Sequence, residues 1–298
     1  MNKVKVLLLA VAATIVTGCG TTSTVPITGR KQNLLVSDEQ VLSLSNQQYQ
    51  EYMKSARPSV NAANTAMVKR VGQKLAQAVV SYLQSNGMAG DVSQYQWEFN
   101  LVQDQNVNAF CMPGGKIVVY EGLLPVTQTE GALAIVLGHE IAHAVARHSA
   151  ERLSNQVKQQ YGSQILGTVL SGAGASSNVQ QIGSTVFGLG SSIGAAAYSR
   201  SQESEADHLG LIFAAMAGYD PQVAVPFWQR MASASGGGGS SLFSDHPSDA
   251  KRIANIQGWM PEAMTYYRGG SAPAVTAPRT TTTPSSGTMK TIHIPTKR

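Results

Sequence analysis

The chain has 298 residues, of which 43% are hydrophobic and 13% charged, and its formal net charge at neutral pH is +5. Six of the 22 basic residues lie in the first 18 or the last 30 positions, which leaves 16 basic against 17 acidic groups in the 250 residues between. A segment of that length can bury one sizeable hydrophobic core. Because the segment is nearly neutral, its charge excludes nucleic acid as the expected partner.

Residues 1 to 18 have the pattern of a lipoprotein signal peptide. Two lysines precede an apolar stretch that is too short to span a bilayer, and Thr17-Gly18 stands directly before Cys19. We therefore expect secretion, cleavage before Cys19 and attachment of lipid to the Cys19 thiol. Gly20, rather than aspartate, follows the cysteine. This resembles the pattern that sends lipoproteins of Gram-negative bacteria to the outer membrane, so we expect a chain anchored there on the periplasmic side.

The remaining chain divides by composition into three parts. Residues 19 to 36 are predicted to be a polar tether, and residues 37 to 268 to be a single folded domain. Residues 269 to 298 are rich in Ser, Thr and Pro, and we expect disorder there because the apolar surface is too small to offset the entropy of ordering. With Cys19 lipidated, Cys111 has no partner for a disulfide, and a lone cysteine of this kind is usually a small buried hydrophobe.

In chain order, the first half of the domain predicts one helix, a small sheet and a second helix. Apolar residues recur at helical spacing from 59 to 83, and Asn86-Gly87 supplies the stop. Alternating segments predict strands at 95 to 102, 107 to 112 and 116 to 120, the last two forming a hairpin. Thr127 and Glu130 have the spacing of a capping box, which predicts the start of a long amphipathic helix.

The second half is also mainly helical. Residues 162 to 197 are rich in Gly, Ser and Ala, which fits either a helical hairpin over the active site or a membrane surface, or loosely packed core helices. Helices are predicted at 199 to 217 and 248 to 260, with a glycine-rich loop between them. The fold class is therefore α+β, a mainly helical domain with a small β-sheet whose edge strand lies beside the helix at 130.

The second predicted helix carries the pattern His139-Glu140-Ile141-Ala142-His143. Residues four apart lie on one helix face, so His139 and His143 can bind one zinc ion. Glu140 is rotated by about 100° from His139, beside the metal, where it can take a proton from a water activated by the zinc. Two histidines on a helix can also be ordinary polar surface residues, but this helix has apolar flanks.

A third ligand is expected from the acidic segment of a later helix. Glu203 and Asp207 are four residues apart, so one helix face can supply a carboxylate ligand from Glu203 and an acceptor from Asp207 that orients a ligating imidazole. An acidic segment is more commonly a solvated helix face. Here the histidine pair requires a partner, and few alternatives exist.

Several motifs in a fixed order resemble the gluzincin family of zinc peptidases that includes the HtpX heat-shock protease, the CAAX prenyl protease and the periplasmic LoiP and BepA. The matching motifs are Asn108-Ala109-Phe110, Pro113-Gly114-Gly115, Leu137 to His143, Ser199-Arg200, Glu203 to Asp207, Asp245-His246-Pro247 and Arg252-Ile253. The resemblance implies one Zn²⁺ per chain bound by His139, His143 and Glu203, with Glu140 as the base and Asp207 in support.

Further roles follow only from this resemblance. His246 is implied to lie near the metal, where it caps the zinc in a latent state, stabilises the oxyanion, or simply orders its loop. Arg252 either stabilises the oxyanion or pairs with an acid. The edge strand at Asn108 and Ala109 is expected to pair with an extended substrate. His148 is expected to point elsewhere on the helix and is interpreted as structural. This chain departs from the family pattern at Cys111, where relatives often have a small aliphatic residue, and a thiol near that strand suggests redox sensitivity.

The expected function is endoproteolysis of unfolded or misassembled envelope proteins. One alternative is a latent protease that mainly binds client proteins, with the outer-membrane assembly machinery as a partner and His246 keeping the zinc site closed. A second alternative is a structural zinc site in a lipoprotein scaffold, which requires a fourth protein ligand.

Overall fold

The computed structural model describes residues 21–161, 198–234 and 250–267. Four predicted features lie outside these residues: the signal peptide with Cys19, the Gly-rich segment 162 to 197, the loop that contains His246, and the tail from 269. In the described part of the chain, no helix combines the length and apolar character that crossing a bilayer requires.

The described residues form five strands and nine α-helices. The strands are β1 (Thr21–Thr24), β2 (Lys31–Leu34), β3 (Glu98–Val102), β4 (Ala109–Met112) and β5 (Lys116–Tyr120). The helices are α1 (Asp38–Ser55), α2 (Ala62–Ser85), α3 (Ala89–Val92), α4 (Leu124–Thr127), α5 (Glu130–Val145), α6 (His148–Tyr161), α7 (Arg200–Met216), α8 (Ala224–Ala234) and α9 (Ala250–Tyr266). The predicted α+β class, mainly helical with small sheets, is confirmed.

The segment predicted to be a polar tether has a different structure. β1 and β2 pair as an antiparallel hairpin, with Thr21 opposite Leu34. Val25, in the turn, joins the main hydrophobic core, and Leu34 packs in a second cluster with residues of α6. The polar composition misled the prediction because the hairpin packs with few apolar side chains and through polar contacts to α6 and α7.

The predicted three-stranded sheet is present in the order β3-β5-β4, with β3 parallel and β4 antiparallel to β5. The β4–β5 turn contains Gly114 and Gly115, whose φ angles of 88° and 85° favour glycine. All five residues of β5 are buried, as expected for a central strand. β4 is therefore an edge strand of the described sheet, and it packs against α5.

Helix starts differ from the sequence expectation in two places. α2 begins after Asn61, whose side chain accepts a hydrogen bond from the Asn64 amide, so Val60 precedes the helix and is 88% exposed. The cap of α5 is Thr129, not Thr127, and its side chain accepts from the Ala132 amide at 3.2 Å. Thr127 ends the short helix α4, which a left-handed Gln128 separates from α5.

α5 and α7 cross at the centre of the main core with almost no space between their backbones. A Cβ atom built on Gly138 would lie 2.6 Å from the Gly210 carbonyl oxygen, and one built on Gly210 would lie 2.5 Å from the His139 amide nitrogen. Only glycine at both positions permits this approach. The crossing brings the acidic residues of α7 next to the histidines of α5.

Candidate metal centre

α5 presents both predicted histidine ligands to one buried point. His139 and His143 are 2% and 1% exposed, and their Nε2 atoms are 3.0 Å apart. Glu140 is also buried, at 2% exposure. Thirteen of the sixteen residues of α5 are buried, so the helix has little of the expected amphipathic character. The histidine pair is therefore part of the interior, and the interpretation as polar surface residues is wrong.

α7 supplies the third predicted ligand. Glu203 Oε2 lies 3.5 Å from His139 Nε2, and Glu203 Oε1 lies 3.4 Å from His143 Nε2. In a tetrahedral zinc site with bond lengths near 2.05 Å, ligand atoms are separated by about 3.3 Å. Among the described residues this is the group of histidine, cysteine and acidic side chains able to hold a metal ion. The donor set and its spacing fit zinc.

Asp207 contacts the first histidine on the side away from the other candidate ligands. Its Oδ1 lies 2.9 Å from His139 Nδ1, which places the proton on Nδ1 and leaves the Nε2 lone pair facing Glu203 and His143. Burial lowers the pKa of the His139 imidazole, but hydrogen bonds to Asp207 and Glu203 outweigh burial and raise this pKa to about 9. Metal and proton therefore compete for Nε2.

Arg252, one of the predicted catalytic residues, lies on the opposite side of His139 from the ligand atoms. Its Nη2 is 2.5 Å from Asp207 Oδ1 and 3.2 Å from His139 Nδ1, and its guanidinium lies over the Trp228 ring at 3.5 Å. These contacts correspond to the alternative in which Arg252 pairs with an acid. Both partners of this ion pair are buried, so the loss of Arg252 would leave the Asp207 charge without its buried counter-charge.

A contact of the candidate ligand His143 with a further histidine was missed from the sequence. His148 is fully buried, with Nδ1 2.9 Å from His143 Nδ1 and Nε2 2.9 Å from Glu205 Oε2. Burial raises the pKa of Glu205, but hydrogen bonds from His148, Arg30 and Thr28 outweigh burial and lower it to about 2. In the sequence, the only sign of this contact is a histidine five residues after His143.

Tyr198 is another residue that sequence reasoning missed. Its ring stacks on the His143 imidazole with centroids 3.9 Å apart and an interplanar angle of 19°. Its hydroxyl lies 2.8 Å from Ser149 Oγ, and the Arg152 guanidinium carbon lies over its ring, 4.5 Å from the centroid. The stack limits rotation of the His143 ring. An aromatic residue directly before the capped start of α7 was the only sequence signal.

The predicted substrate strand lies beside this site. Ala109 and Cys111 of β4 are buried, and the charge of Glu140 acts on the Cys111 thiol. Burial, and after it Glu140, raises the pKa of Cys111 well above its ordinary value. Asn108 precedes β4, and its carbonyl oxygen accepts a hydrogen bond from the Tyr120 amide at 3.0 Å. The geometry thus places β4 close to the Glu140 carboxylate but gives the Cys111 thiol little reactivity.

Comparison with known proteins gives the family. The profile of peptidase family M48 matches residues 62–260, which is more than half of the chain and contains all three candidate ligands. The chain belongs to peptidase family M48. The predicted resemblance is therefore confirmed at the level of this family. Placement in the branch of HtpX and the CAAX prenyl protease stays a prediction.

Curated relatives come from mitochondria and from bacteria. Mitochondrial metalloendopeptidase OMA1 of Schizosaccharomyces pombe is 39% identical over 176 residues, which are 58% of this chain and 49% of that protein. Metalloprotease LoiP of Escherichia coli is 27% identical over 263 residues, 86% of this chain and 96% of that protein. A putative beta-barrel assembly-enhancing protease of Vibrio cholerae is 30% identical over 184 residues, 61% of this chain and 36% of that protein. The chain spans about half the length of several mitochondrial relatives that it matches.

Proposed function

We propose that this chain is a zinc-dependent endopeptidase of the bacterial cell envelope, in which His139, His143 and Glu203 bind one zinc ion. The observation that carries the proposal is the convergence of three buried donor atoms from α5 and α7 at separations of 3.0, 3.4 and 3.5 Å. This donor set, two imidazoles and one carboxylate, is that of catalytic zinc sites with an open fourth position.

Glu140 and Asp207 carry out the parts of the reaction that the metal does not. When bound, zinc acts as a Lewis acid, which polarises the scissile carbonyl and lowers the pKa of water to about 7. Glu140 follows His139 on α5 and is buried, so its carboxylate can accept the proton of the attacking water and return it to the leaving amine. Asp207 keeps the His139 Nε2 lone pair directed at the metal.

The edge strand β4 supports recognition of extended substrates. The Tyr120 amide donates to the Asn108 carbonyl, and antiparallel pairs alternate, so the backbone groups of Ala109 and Cys111 point away from β5. The Ala109 amide donates to the Asn108 side-chain oxygen at 2.9 Å, so pairing with a substrate begins by exchange of that bond. Strand addition reads backbone rather than sequence, which favours unfolded or misassembled envelope proteins as substrates.

Attachment to a membrane through Cys19 is part of the proposal. LoiP of Escherichia coli, a bacterial protein, aligns with most of this chain. β1 begins at Thr21, so the chain between Cys19 and the hairpin can span at most about 7 Å, whereas an 18-residue tether could span about 60 Å. A lipid on Cys19 would therefore hold the hairpin close to the membrane surface. Replacing Cys19→Ser in cells should release the chain from outer-membrane fractions. A variant that stays there would contradict the lipid anchor.

The direct test of the function is Glu140→Gln. We expect casein cleavage by the mature chain to fall by at least about 1000-fold, while each chain still binds one zinc ion, because the variant loses the base but keeps all three ligands. The matched control is Glu39→Gln on the exposed face of α1, which should cleave as the wild type does. Retained cleavage by Glu140→Gln would refute the role of this carboxylate.

A second candidate, a latent protease that mainly binds clients, is favoured by the name of the Vibrio cholerae relative, which refers to beta-barrel assembly. Client binding and casein degradation should be compared for the wild type and His246→Ala. Faster proteolysis by the variant with unchanged client binding would support latency, and unchanged proteolysis would support the peptidase without a cap.

A further inference from the structure

The two metal-facing imidazoles are supported differently on their Nδ1 side. His139 contacts the carboxylate of Asp207 directly, whereas His143 contacts a second imidazole, that of His148. With the His143 Nε2 lone pair directed at the ligand cluster, its Nδ1 carries the proton and donates to His148 Nδ1. His148 must then carry its own proton on Nε2, which faces Glu205 Oε2 at 2.9 Å. With this assignment of protons, both imidazoles are neutral and each of their ring nitrogens has a partner.

The far end of this hydrogen-bonded series lies on the N-terminal hairpin. The turn between β1 and β2 supplies two donors to Glu205: Thr28 Oγ1 at 2.6 Å and Arg30 Nε at 2.8 Å. The Arg30 guanidinium also binds the Glu151 carboxylate of α6 at 2.7 and 3.0 Å. Arg30 therefore joins the hairpin to α6 and α7, the two helices that carry His148 and Glu205.

We propose that His148 and Glu205 are positioning residues for the metal ligand His143, and that Thr28 and Arg30 of the hairpin fix this relay. The inference rests on the proposed function, since it assumes that His143 Nε2 binds the metal. Each ligating imidazole then has an acidic support from α7: Asp207 acts directly, and Glu205 acts through His148. The hairpin is thereby part of the machinery that fixes the metal site.

Burial and charge argue for a positioning role over simple filling of space. His148 is 0% exposed and Glu205 is 8% exposed, and burying a polar pair costs free energy unless all hydrogen bonds are made. An apolar side chain would fill the junction of α5 and α6 without that cost. The relay instead orients the His143 ring, and loss of such outer contacts typically weakens metal binding by about 10- to 100-fold.

The test measures zinc affinity of the metal-free mature chain by competition with a chelator, together with its thermal unfolding. His148→Phe keeps a planar ring but removes both nitrogens, and its zinc Kd should rise by about 10- to 100-fold. His148→Asn can accept the His143 proton with Oδ1, so it should recover most of that loss. Arg30→Ala should raise the Kd several-fold, whereas the control Arg70→Ala, which breaks an exposed pair with Glu130 on α5, should leave it unchanged.

The outcomes separate this inference from the proposed function. A wild type that binds zinc and cleaves casein, with His148→Phe and Arg30→Ala retaining wild-type zinc affinity, would overturn the relay alone, even if both variants unfold at lower temperature. A wild type that binds no zinc would overturn the relay and the proposed function together. If His148→Phe does not fold, His148→Asn and Arg30→Ala provide the test. A zinc Kd that is raised in Arg30→Ala but not in His148→Asn supports the relay. A wild-type zinc Kd in both variants overturns it.

Discussion

The contact between α5 and α7 makes Gly210→Ala the most informative structural perturbation. A Cβ atom at Gly210 would lie 2.5 Å from the His139 amide nitrogen and 2.8 Å from the Gly138 carbonyl carbon. Both obstacles are backbone atoms of a buried helix, so no side-chain rotation relieves them. Normal contact distances begin at about 3.5 Å, and the helices must therefore separate by about 1 Å.

Two consequences follow, one for stability and one for the site. Overpacking of this kind costs about 1–3 kcal/mol, which the higher helix propensity of alanine offsets by about 1 kcal/mol, so the free energy of unfolding should fall by up to about 2 kcal/mol. The displacement also moves Glu203, on the same helix, relative to the histidines. Metal sites tolerate deviations of about 0.2 Å in ligand distances, so zinc affinity should fall by at least about tenfold.

Denaturant unfolding of the metal-free chain and chelator competition for zinc measure the two effects. The control is Gly258→Ala on α9, where an added Cβ has no neighbour within 4 Å and should stabilise the chain by up to about 1 kcal/mol without changing zinc affinity. Wild-type stability together with wild-type zinc affinity in Gly210→Ala would refute the claim that this close crossing sets the site.

Two further predictions concern titrating groups. Burial raises the pKa of Glu151, but hydrogen bonds from Arg30 and Gln202 outweigh burial and lower this pKa from its ordinary value of 4.5. The ionised carboxylate therefore stabilises the fold above pH 4.5, and this stabilisation is lost as the pH falls through the lowered pKa. In denaturant titrations, Glu151→Gln should lower the free energy of unfolding by about 1–2 kcal/mol at pH 7 and by less below pH 4.5. A loss that is independent of pH would contradict this prediction. Because burial and Glu140 raise the pKa of Cys111, this thiol should resist Ellman's reagent until the chain unfolds, and rapid labelling of the native chain would restore the redox hypothesis.

The sequence predicted the parts of the site that local spacing determines. His139 and His143 are one helical turn apart, as are Glu203 and Asp207, and the period of a helix alone puts each pair on one face. That the two faces meet was an inference from the need for a third ligand. The structure confirms the meeting and supplies its cause, the close contact at Gly138 and Gly210, which sequence analysis had not considered.

The contact of His148 with His143 could not be predicted from the spacing of the two residues. On an unbroken helix a residue five positions after His143 points to a different face. α5 instead ends at Val145, and Arg147 adopts a positive φ of 54°, so α6 starts in a new direction at His148. That break turns the imidazole of His148 back toward His143.

The hairpin shows a similar limit. Its polar residues predict a tether when only hydrophobic patterning is considered, because four-residue strands carry too few apolar positions for a clear alternation. Tertiary hydrogen bonds from Arg30 to Glu205 and Glu151 explain its position, and such contacts join residues more than 120 positions apart. No local pattern in the sequence encodes them.

X-ray absorption at the zinc edge of the purified mature chain tests the central claim most directly. We predict one zinc ion per chain, with two imidazole nitrogens at about 2.0–2.1 Å, a carboxylate oxygen at about 2.0–2.2 Å and no sulfur neighbour, and loss of an imidazole signal in His143→Ala. A spectrum with sulfur at about 2.3 Å, or one that is unchanged in His143→Ala, would contradict binding by His139, His143 and Glu203.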